Sequence, residues 1–260
     1  MAIDDIFIQA FRTHQQKGDL FHPLGHEDHE VFQASTIGAL MEGVYDGDTT
    51  YGELARHGDF GLGTFNALDG EMIALGGRFF QIKSDGKAYP VPPTAKTPFA
   101  VVTLFDPTVQ VVWPDPIDWK QFQAAVDKAV PSKNVFYAIR VRAYFDHIRV
   151  RTVPRQRKPY PPLVEVARRQ PEFEYGHLEG TLVGFRFPDY TQGVNVAGYH
   201  VHFLDKAETL GGHVLDFSMR EAVVDIDVTS QFRMEVPECG AFLDADLARN
   251  QDEAIHEAEN

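Results

Sequence analysis

Three histidines in the last quarter of the chain have a spacing that could hold a metal ion. His200 and His202 stand two residues apart in GYHVHFLD, and because side chains alternate along a β-strand, both imidazoles would project from one face. Ten residues, 203–212, separate them from His213 in LGGHVLDF, which is enough for a turn and a return on a neighbouring antiparallel strand. Three neutral imidazoles on one sheet suit Zn²⁺ or a similar transition ion and leave coordination positions open for a substrate. The spacing therefore favours a catalytic metal site over surface histidines that bind no metal.

Two other side chains could act beside such a metal, although each also has an ordinary structural explanation. Glu71 follows a turn of small residues, GLGTFNALDG, and precedes an apolar strand, so it could do general acid or base work or simply end a strand. Arg151, in HIRVRTVPRQ, stands where a strand is predicted to end. Its guanidinium could bind a substrate carboxylate or lie at the surface.

The remaining histidines are weaker candidates. His22, His26 and His29 in FHPLGHEDHE have helical spacing and acidic neighbours, and the sequence favours a solvated segment there over a second metal site. No local partner singles out the others, which are His14, His57, His147, His177 and His256.

The composition limits the class of protein. With 260 residues, of which 43% are hydrophobic, the chain predicts one compact unit with two packed lobes. The formal net charge of -14 would repel nucleic-acid phosphates and anionic lipid, so neither is an expected partner. Cys239 is the only cysteine, which excludes an intrachain disulfide and a cysteine-rich metal site. Asp4 and Asp5 stand where a signal peptide would have lysines, and no apolar stretch is long enough to span a membrane, so we expect a cytoplasmic protein.

The pattern of elements predicts an α+β fold: a β-rich, two-lobed domain with mixed and antiparallel sheets, a few short helices and the metal site on a sheet face. An N-terminal helix or arm is expected over residues 1–30, a β-rich lobe over 31–165, and a C-terminal β lobe with the metal-binding strands and an acidic tail over 166–260. The proline-rich segment PRQRKPYPPL marks the boundary, because three prolines within a few residues prevent regular structure. The best helix follows the cap residues Asp115 to Asp118, and Thr50 with Glu53 has the form of a capping box.

Four segments together resemble bacterial α-acetolactate decarboxylase: GLGTFNALDGEMIALGG, KTPFAVVTLFDP, RTVPRQRKPYPPL and GYHVHFLDKAETLGGHVLDF. The resemblance spans nearly the whole chain. It implies a zinc enzyme without an organic cofactor that converts (S)-2-acetolactate to (R)-acetoin and CO₂ through a metal-stabilised enediolate, a step of acetoin and 2,3-butanediol formation. The small-molecule substrate is then the expected partner, and we expect a homodimer.

The resemblance also implies roles for individual residues. The metal ligands would be His200, His202 and His213, joined by a glutamate from the tail, for which Glu259 is the first choice and Glu253 or Glu257 are the alternatives. Glu71 and Arg151 would be catalytic, with Glu71 managing a proton and Arg151 binding the carboxylate that departs as CO₂. Thr64 and Arg151 would contact the substrate.

Two other functions are compatible with the histidine pattern. A cupin-like metal-dependent oxygenase or isomerase also places His-x-His on a sheet, but its usual downstream glutamate would fall at Lys206 or Ala207. A non-catalytic metal-binding protein could close the coordination sphere with the third histidine and a tail carboxylate. Release of CO₂ from acetolactate without oxygen would separate the three hypotheses.

Overall fold

The computed structural model describes residues 3–21, 29–238, 240–248 and 251–259. Its strands are β1 Val31–Ala34, β2 Phe60–Thr64, β3 Glu71–Leu75, β4 Arg78–Ile82, β5 Ala88–Pro90, β6 Ala100–Thr103, β7 Val109–Trp113, β8 Ile117–Asp118, β9 Phe136–Arg151, β10 Glu172–Tyr175, β11 Leu178–Phe187, β12 Gly198–Asp205, β13 Gly211–Thr229 and β14 Phe232–Glu235. Its α-helices are α1 Ile3–Lys17, α2 Ile37–Met41, α3 Tyr51–Leu54, α4 Trp119–Ala129, α5 Leu163–Ala167, α6 Gly240–Asp244 and α7 Asp252–Glu259. The predicted β-rich α+β fold is confirmed. Within the described ranges, every helix is too short or too polar to cross a bilayer.

The first sheet is mixed and has the strand order β14-β1-β6-β2-β3-β4-β5. Only β1 and β14 run parallel among its described pairs, and the rest are antiparallel. The turn between β4 and β5 contains Asp85-Gly86, a dipeptide typical of hairpin turns, with Gly86 at a φ of 73°. The hairpin of β2 and β3 matters most for function, because Thr64 and Glu71 lie directly opposite each other at its end.

The second sheet curls until it closes on itself. Its order is β10-β9-β11-β12-β13-β7, and the long strands β9 and β13 also pair with each other. The strands β9, β11, β12 and β13 therefore form a ring of antiparallel pairs. Aromatic side chains fill its inner face, among them Phe145, Phe203 and Phe217, and the helices α1 and α4 add Phe7 and Phe122 to the same cluster.

The opposite face of β11 and β12 packs against the first sheet. A second apolar cluster joins Val183, Phe185 and Leu204 of these strands to Phe60 and Ile73 of the first sheet. Fully burying a side chain of this size stabilises the fold by about 1.5–3 kcal/mol relative to leaving it exposed. The two sheets are thus held face to face, and any polar group between them is shielded from water.

Sheet membership does not follow the expected division of the chain at residue 165. The segment 109–151, which includes β7, α4 and β9, belongs with the C-terminal strands, whereas β14 returns to pair with β1 in the first sheet. Side-chain alternation indicates which face of a strand is buried, but it does not indicate which distant strand is the partner.

Local signals predicted the helix starts better than the extent of the strands. The capping box of Thr50 and Glu53 begins α3, and Asp118 caps α4 by accepting from the backbone N–H of Gln121. The segment VFQASTIGALMEG has a strand-like composition, but it forms β1 and then α2. Thr36 starts that helix by accepting from the N–H of Ala39 at 3.1 Å.

Candidate active site

The three histidines converge between the two sheets. Alternation along β12 turns His200 and His202 toward the first sheet, and His213 on β13 lies directly opposite His202 in the pairing register. All three side chains are buried, and the ligand atoms that they offer lie within 4.8 Å of one another. The structure therefore brings together the three residues that the sequence spacing selected.

Neighbouring groups determine where two of these imidazoles carry their protons. The Nδ1 atom of His202 lies 2.8 Å from the carbonyl oxygen of Met72, which can only accept, so Nδ1 is the donor. The Nε2 atom of His213 lies 3.2 Å from Nη2 of Arg151, which can only donate, so this Nε2 is the acceptor. When the imidazoles are neutral, the Nε2 atoms of both residues therefore carry the lone pair, and that of His213 accepts from Arg151.

Burial keeps the imidazoles neutral. Loss of water lowers the pKa of His202 to about 4, because the hydrogen bond to Met72 only partly opposes burial and the charge of Arg151 lowers the pKa further. Burial, His202 and Arg151 together also hold the pKa of His200 well below its usual value. Neutral imidazole is the form that binds a metal ion, so these two side chains are ready to act as ligands near neutral pH.

One pair of nitrogens has a spacing that fits two ligands of a tetrahedral metal ion. The Nε2 atoms of His200 and His202 are 3.2 Å apart. With metal–nitrogen bonds of about 2.0–2.1 Å, two ligands of a tetrahedral zinc ion would lie about 3.3 Å apart. The carbonyl of Met72 supplies the outer hydrogen bond that orients a metal-binding histidine. The donor set and its support therefore fit zinc.

The first sheet contributes a carboxylate to the same place. Glu71 begins β3 and is 9% exposed, and its Oε2 atom lies 3.7 Å from Nε2 of His202. The residue before it, Gly70, has a φ of 95° and packs so closely on β4 that an added Cβ would collide with the carbonyl oxygen of Ile82. The tight turn that ends in this glycine therefore fixes the start of β3 and directs Glu71 at the histidines.

Thr64 lies across the hairpin from Glu71 and is held by hydrogen bonds. Its hydroxyl donates to the carbonyl of Gly70 at 2.8 Å. Its own carbonyl accepts from the hydroxyls of Tyr51 at 2.9 Å and Thr97 at 2.7 Å. These bonds are buried, so the turn between the two strands forms a rigid edge of the site.

Arg151 reaches the site from the last position of β9. It lies opposite His213 in the strand register, so His202, His213 and Arg151 form one row across three adjacent strands. The guanidinium is only 4% exposed. A charge in such surroundings attracts an anion more strongly than it would in water.

Most of these groups line one pocket. Its polar lining includes Thr64, Glu71, Arg151, His200 and His213. Apolar side chains form much of the remaining wall, and the helices α2, α5 and α7 supply Ile37, Leu40, Leu163, Ala167 and Ala258. The pocket thus combines a potential metal centre, one carboxylate and one guanidinium in a largely apolar enclosure.

Comparison with known proteins shows the family to which the chain belongs. A family model described as alpha-acetolactate decarboxylase matches residues 31–249. The chain belongs to the alpha-acetolactate decarboxylase family. It is similar to the alpha-acetolactate decarboxylase of Methylococcus capsulatus, at 99% identity over 100% of both chains. The alpha-acetolactate decarboxylase of Klebsiella aerogenes is 44% identical over 90% of this chain and 91% of the relative.

A solved structure within the family shares the fold. The crystal structure of alpha-acetolactate decarboxylase from Bacillus subtilis strain 168 superposes with a TM-score of 0.87 at 38% sequence identity. The match covers 89% of this chain and 99% of that one. Membership of the alpha-acetolactate decarboxylase family therefore rests on both sequence and structure.

The structure does not bring every expected glutamate to the pocket. Glu257 points outward, where Arg168 donates to it at 2.6 Å, and Glu253 is exposed on α7. The side chain of Glu259 lies outside the described part of the chain.

The expectation of a solvated histidine segment is wrong for His29. This residue is 8% exposed, and its Nε2 atom lies 3.0 Å from Oδ1 of Asp227. The chain turns inward there to begin β1, so a polar residue with acidic neighbours in sequence became buried beside an acid from β13. His22 and His26 lie outside the described residues.

Sequence reasoning missed two groups at the site. The carbonyl of Met72 carries no side-chain signal, because any residue at that position would supply one. Gln170, which also lines the pocket, follows α5 and has no pattern of its own in the sequence.

Proposed function

We propose that the chain converts (S)-2-acetolactate to (R)-acetoin and CO₂ with a zinc ion bound by His200, His202 and His213. Family membership supports the reaction. The observation that carries the site assignment is the convergence of three buried imidazoles, two of which, His200 and His213, line the same pocket as Glu71 and Arg151. Zinc, when bound, supplies a Lewis acid for the adjacent ketone and hydroxyl oxygens of the substrate and lowers the energy of the charge that develops there.

Arg151 binds the substrate carboxylate. Its buried guanidinium offers several donors in a fixed plane, which suits a carboxylate and fixes the direction of the bond to be broken. Loss of CO₂ is easiest when that bond stands perpendicular to the neighbouring carbonyl plane, so orientation is the main contribution of this residue.

Glu71 supplies the proton that the reaction consumes. The electron pair left by CO₂ spreads into the ketone, and acetoin forms when the carbon that lost CO₂ takes a proton. Glu71 extends from the first sheet, whereas the histidines extend from the second, so the carboxyl group approaches the bound substrate from one side. Delivery to a single face gives a single enantiomer of acetoin. Thr64, rigidly held beside Glu71, contacts the substrate and limits how it can lie.

Glu259 is our choice for the fourth ligand. Helix α7 lies over the pocket with Ala258 in the wall, and position 259 follows the buried Ile255 by four residues, which is about one helical turn. Glu257 is engaged by Arg168 at the surface, which argues against it.

Metal analysis combined with an acetoin assay tests this proposal. We expect about one zinc per chain, formation of (R)-acetoin from (S)-2-acetolactate, and the same rate in air and under argon. Removing the metal with a chelator should abolish turnover, and added Zn²⁺ should restore it. A rate that requires oxygen would contradict the decarboxylase assignment, and full activity in metal-free protein would contradict the metal site.

The proposal also covers the metabolic pathway, the oligomeric state and the cellular location of the protein. We place the reaction in acetoin and 2,3-butanediol formation. A homodimer is supported by the edge strand β14, whose exposed Met234 precedes the exposed Val236. A cytoplasmic location is compatible with a chain that has one cysteine. Light scattering coupled to size-exclusion chromatography measures the assembly, and cell fractionation measures the location.

A further inference from the structure

Gln170 is fixed beside the pocket by its backbone surroundings. It lies between α5 and β10, and its N–H donates to the carbonyl of Ala167 at 3.4 Å. The next residue, Pro171, accepts from the N–H of Thr152 at 3.2 Å, and Glu172 pairs opposite Arg151. The segment is thereby attached to the end of β9, and the side chain of Gln170 lines the same pocket as the histidines.

The side-chain amide oxygen of Gln170 is available to accept a hydrogen bond. The Oε1 atom is buried and accepts no hydrogen bond from the part of the chain that the structure describes. A buried carbonyl oxygen without a donor costs free energy, so in native proteins it generally marks a place where another group binds. Because Gln170 lines a pocket for a small substrate, a donor on the substrate is the natural partner.

The roles given to Arg151, Thr64 and Glu71 do not include accepting a hydrogen bond from the substrate hydroxyl. Under the proposed function, the guanidinium of Arg151 binds the carboxylate, and it can only donate. The hydroxyl proton of Thr64 is already directed to the carbonyl of Gly70. Glu71 is occupied with the proton that goes to carbon. The substrate anion carries a single donor, the tertiary hydroxyl, and Oε1 of Gln170 is an acceptor without another role.

We propose that Gln170 is a substrate-binding residue whose amide oxygen accepts a hydrogen bond from the hydroxyl of a 2-hydroxy-3-keto acid. This inference rests on the proposed function. The contact fixes the rotation of the hydroxyl-bearing carbon, and it selects against β-keto acids that lack the hydroxyl, since these leave the buried oxygen without a donor.

Two ligands that differ only at the hydroxyl test the contact. The first is 2-hydroxy-2-methylpropanoate and the second is 2,2-dimethylpropanoate, in which a methyl group replaces the hydroxyl. Dissociation constants for both are measured by ligand-observed NMR with the zinc-loaded protein and with Gln170→Met, which keeps the side-chain length and removes the amide. We expect Gln170→Met to weaken binding of the hydroxy acid about tenfold, as one lost hydrogen bond would. Binding of the dimethyl acid should change less than twofold.

Equal weakening of both ligands would overturn the proposal, because it would show that the amide contacts the carboxylate or shapes the pocket. No change in either constant would overturn it as well. Gln16→Met, an exposed change of the same kind on α1, is the matched control and should alter neither constant. Gln170→Ala must show the same selective weakening, which keeps the test valid if Gln170→Met folds poorly.

The binding test is independent of turnover. If the wild-type protein makes no acetoin but Gln170→Met weakens only the hydroxy acid, the proposed reaction fails and the hydroxyl contact stands. If acetoin forms and the selective weakening is missing, the assignment of Gln170 fails alone.

Discussion

Strand β12 buries both of its faces, yet the two faces contain opposite kinds of side chain. Val201 and Phe203 point into the ring of strands, where Phe203 packs edge-on against Phe145 with ring centroids 5.1 Å apart. His200 and His202 point the other way, toward the first sheet, and are as well buried as Val201 and Phe203. Burial alone therefore does not distinguish the side chains of β12 that stabilise the fold from the histidines proposed to bind a metal.

The two faces of β12 differ in what makes burial of their side chains favourable or tolerable. On the inner face, removal of apolar surface from water is itself stabilising. On the outer face, a buried imidazole is tolerated because its nitrogens meet other polar groups, as Nδ1 of His202 meets the carbonyl of Met72. We therefore expect changes on the inner face to alter the free energy of unfolding and changes on the outer face to alter metal binding and turnover.

The largest effect should follow His202→Ala. This change removes the ligand at the centre of the site, so stoichiometric zinc should disappear and kcat/KM should fall by at least about a thousandfold. Metal analysis and the acetoin assay measure the two effects. His147→Ala, at a half-exposed histidine on β9, is the control and should leave both unchanged. A His202→Ala protein with metal and full activity would refute the ligand assignment.

Glu71→Gln should separate chemistry from metal binding. The amide keeps the shape of the side chain but cannot deliver a proton, so kcat should fall about 10²–10⁴-fold while zinc content stays at the wild-type level. Glu174→Gln, at a carboxylate that is 71% exposed, is the matched control. Undiminished turnover by Glu71→Gln would remove this residue from the mechanism.

Phe203→Ala should affect the fold and leave the site in place. Truncating this fully buried ring should lower the free energy of unfolding by about 3–5 kcal/mol. Guanidinium denaturation measures that loss. The protein that remains folded should still bind zinc, and Val112→Ala, at a side chain that is 62% exposed, should change stability by less than about 0.5 kcal/mol. Loss of zinc from folded Phe203→Ala would show that the two faces are not independent.

The smallest effect should come from Tyr199→Phe. The Tyr199 hydroxyl donates to Asp127 at 2.9 Å, and Arg186 donates to the same carboxylate at 2.7 Å. Losing the hydroxyl should lower stability by about 1 kcal/mol at pH 7 and leave kcat unchanged.

The effect of Tyr199→Phe should depend on pH. Burial raises the pKa of Asp127, but hydrogen bonds from Lys133, Arg186 and Tyr199 outweigh it and hold this pKa below 3.8. A carboxyl whose pKa is lowered by folding stabilises the protein above its unfolded pKa, and this stabilisation is lost as pH falls through the folded value. The difference between wild type and variant in urea denaturation should therefore be full at pH 7 and shrink below about pH 4. A constant difference down to pH 3 would contradict this account.

Sequence predicted the outer face of β12 well because a local rule was sufficient. Two histidines two residues apart on a strand must share a face, and the intervening length allowed His213 to return beside them. Glu71 and Arg151 were different, because local sequence alone gave each an ordinary explanation and only the family resemblance selected them. Glu71 and Arg151 come together because the two sheets pack against each other, and residue spacing along the chain does not predict that packing.

Contacts between residues that are distant in sequence also explain which features of the fold were not predicted. A capping box predicted the start of α3 and cap residues predicted that of α4, because a cap acts within four residues. The return of β14 to β1 joins residues about 200 positions apart, and the expected boundary at residue 165 could not anticipate it. The carbonyl of Met72 belongs to this group as well, because its role comes from its position opposite His202 and not from its side chain.

The hydrogen bond between His202 and Met72 makes one imidazole a crosslink between the two halves of the molecule. One of its nitrogens is placed for the metal, and the other is bonded to the first sheet. Metal affinity and sheet docking are therefore linked reciprocally: what strengthens one strengthens the other by the same free energy. A saturating metal at one hundred times its dissociation constant would stabilise the folded chain against complete unfolding by about 2.7 kcal/mol.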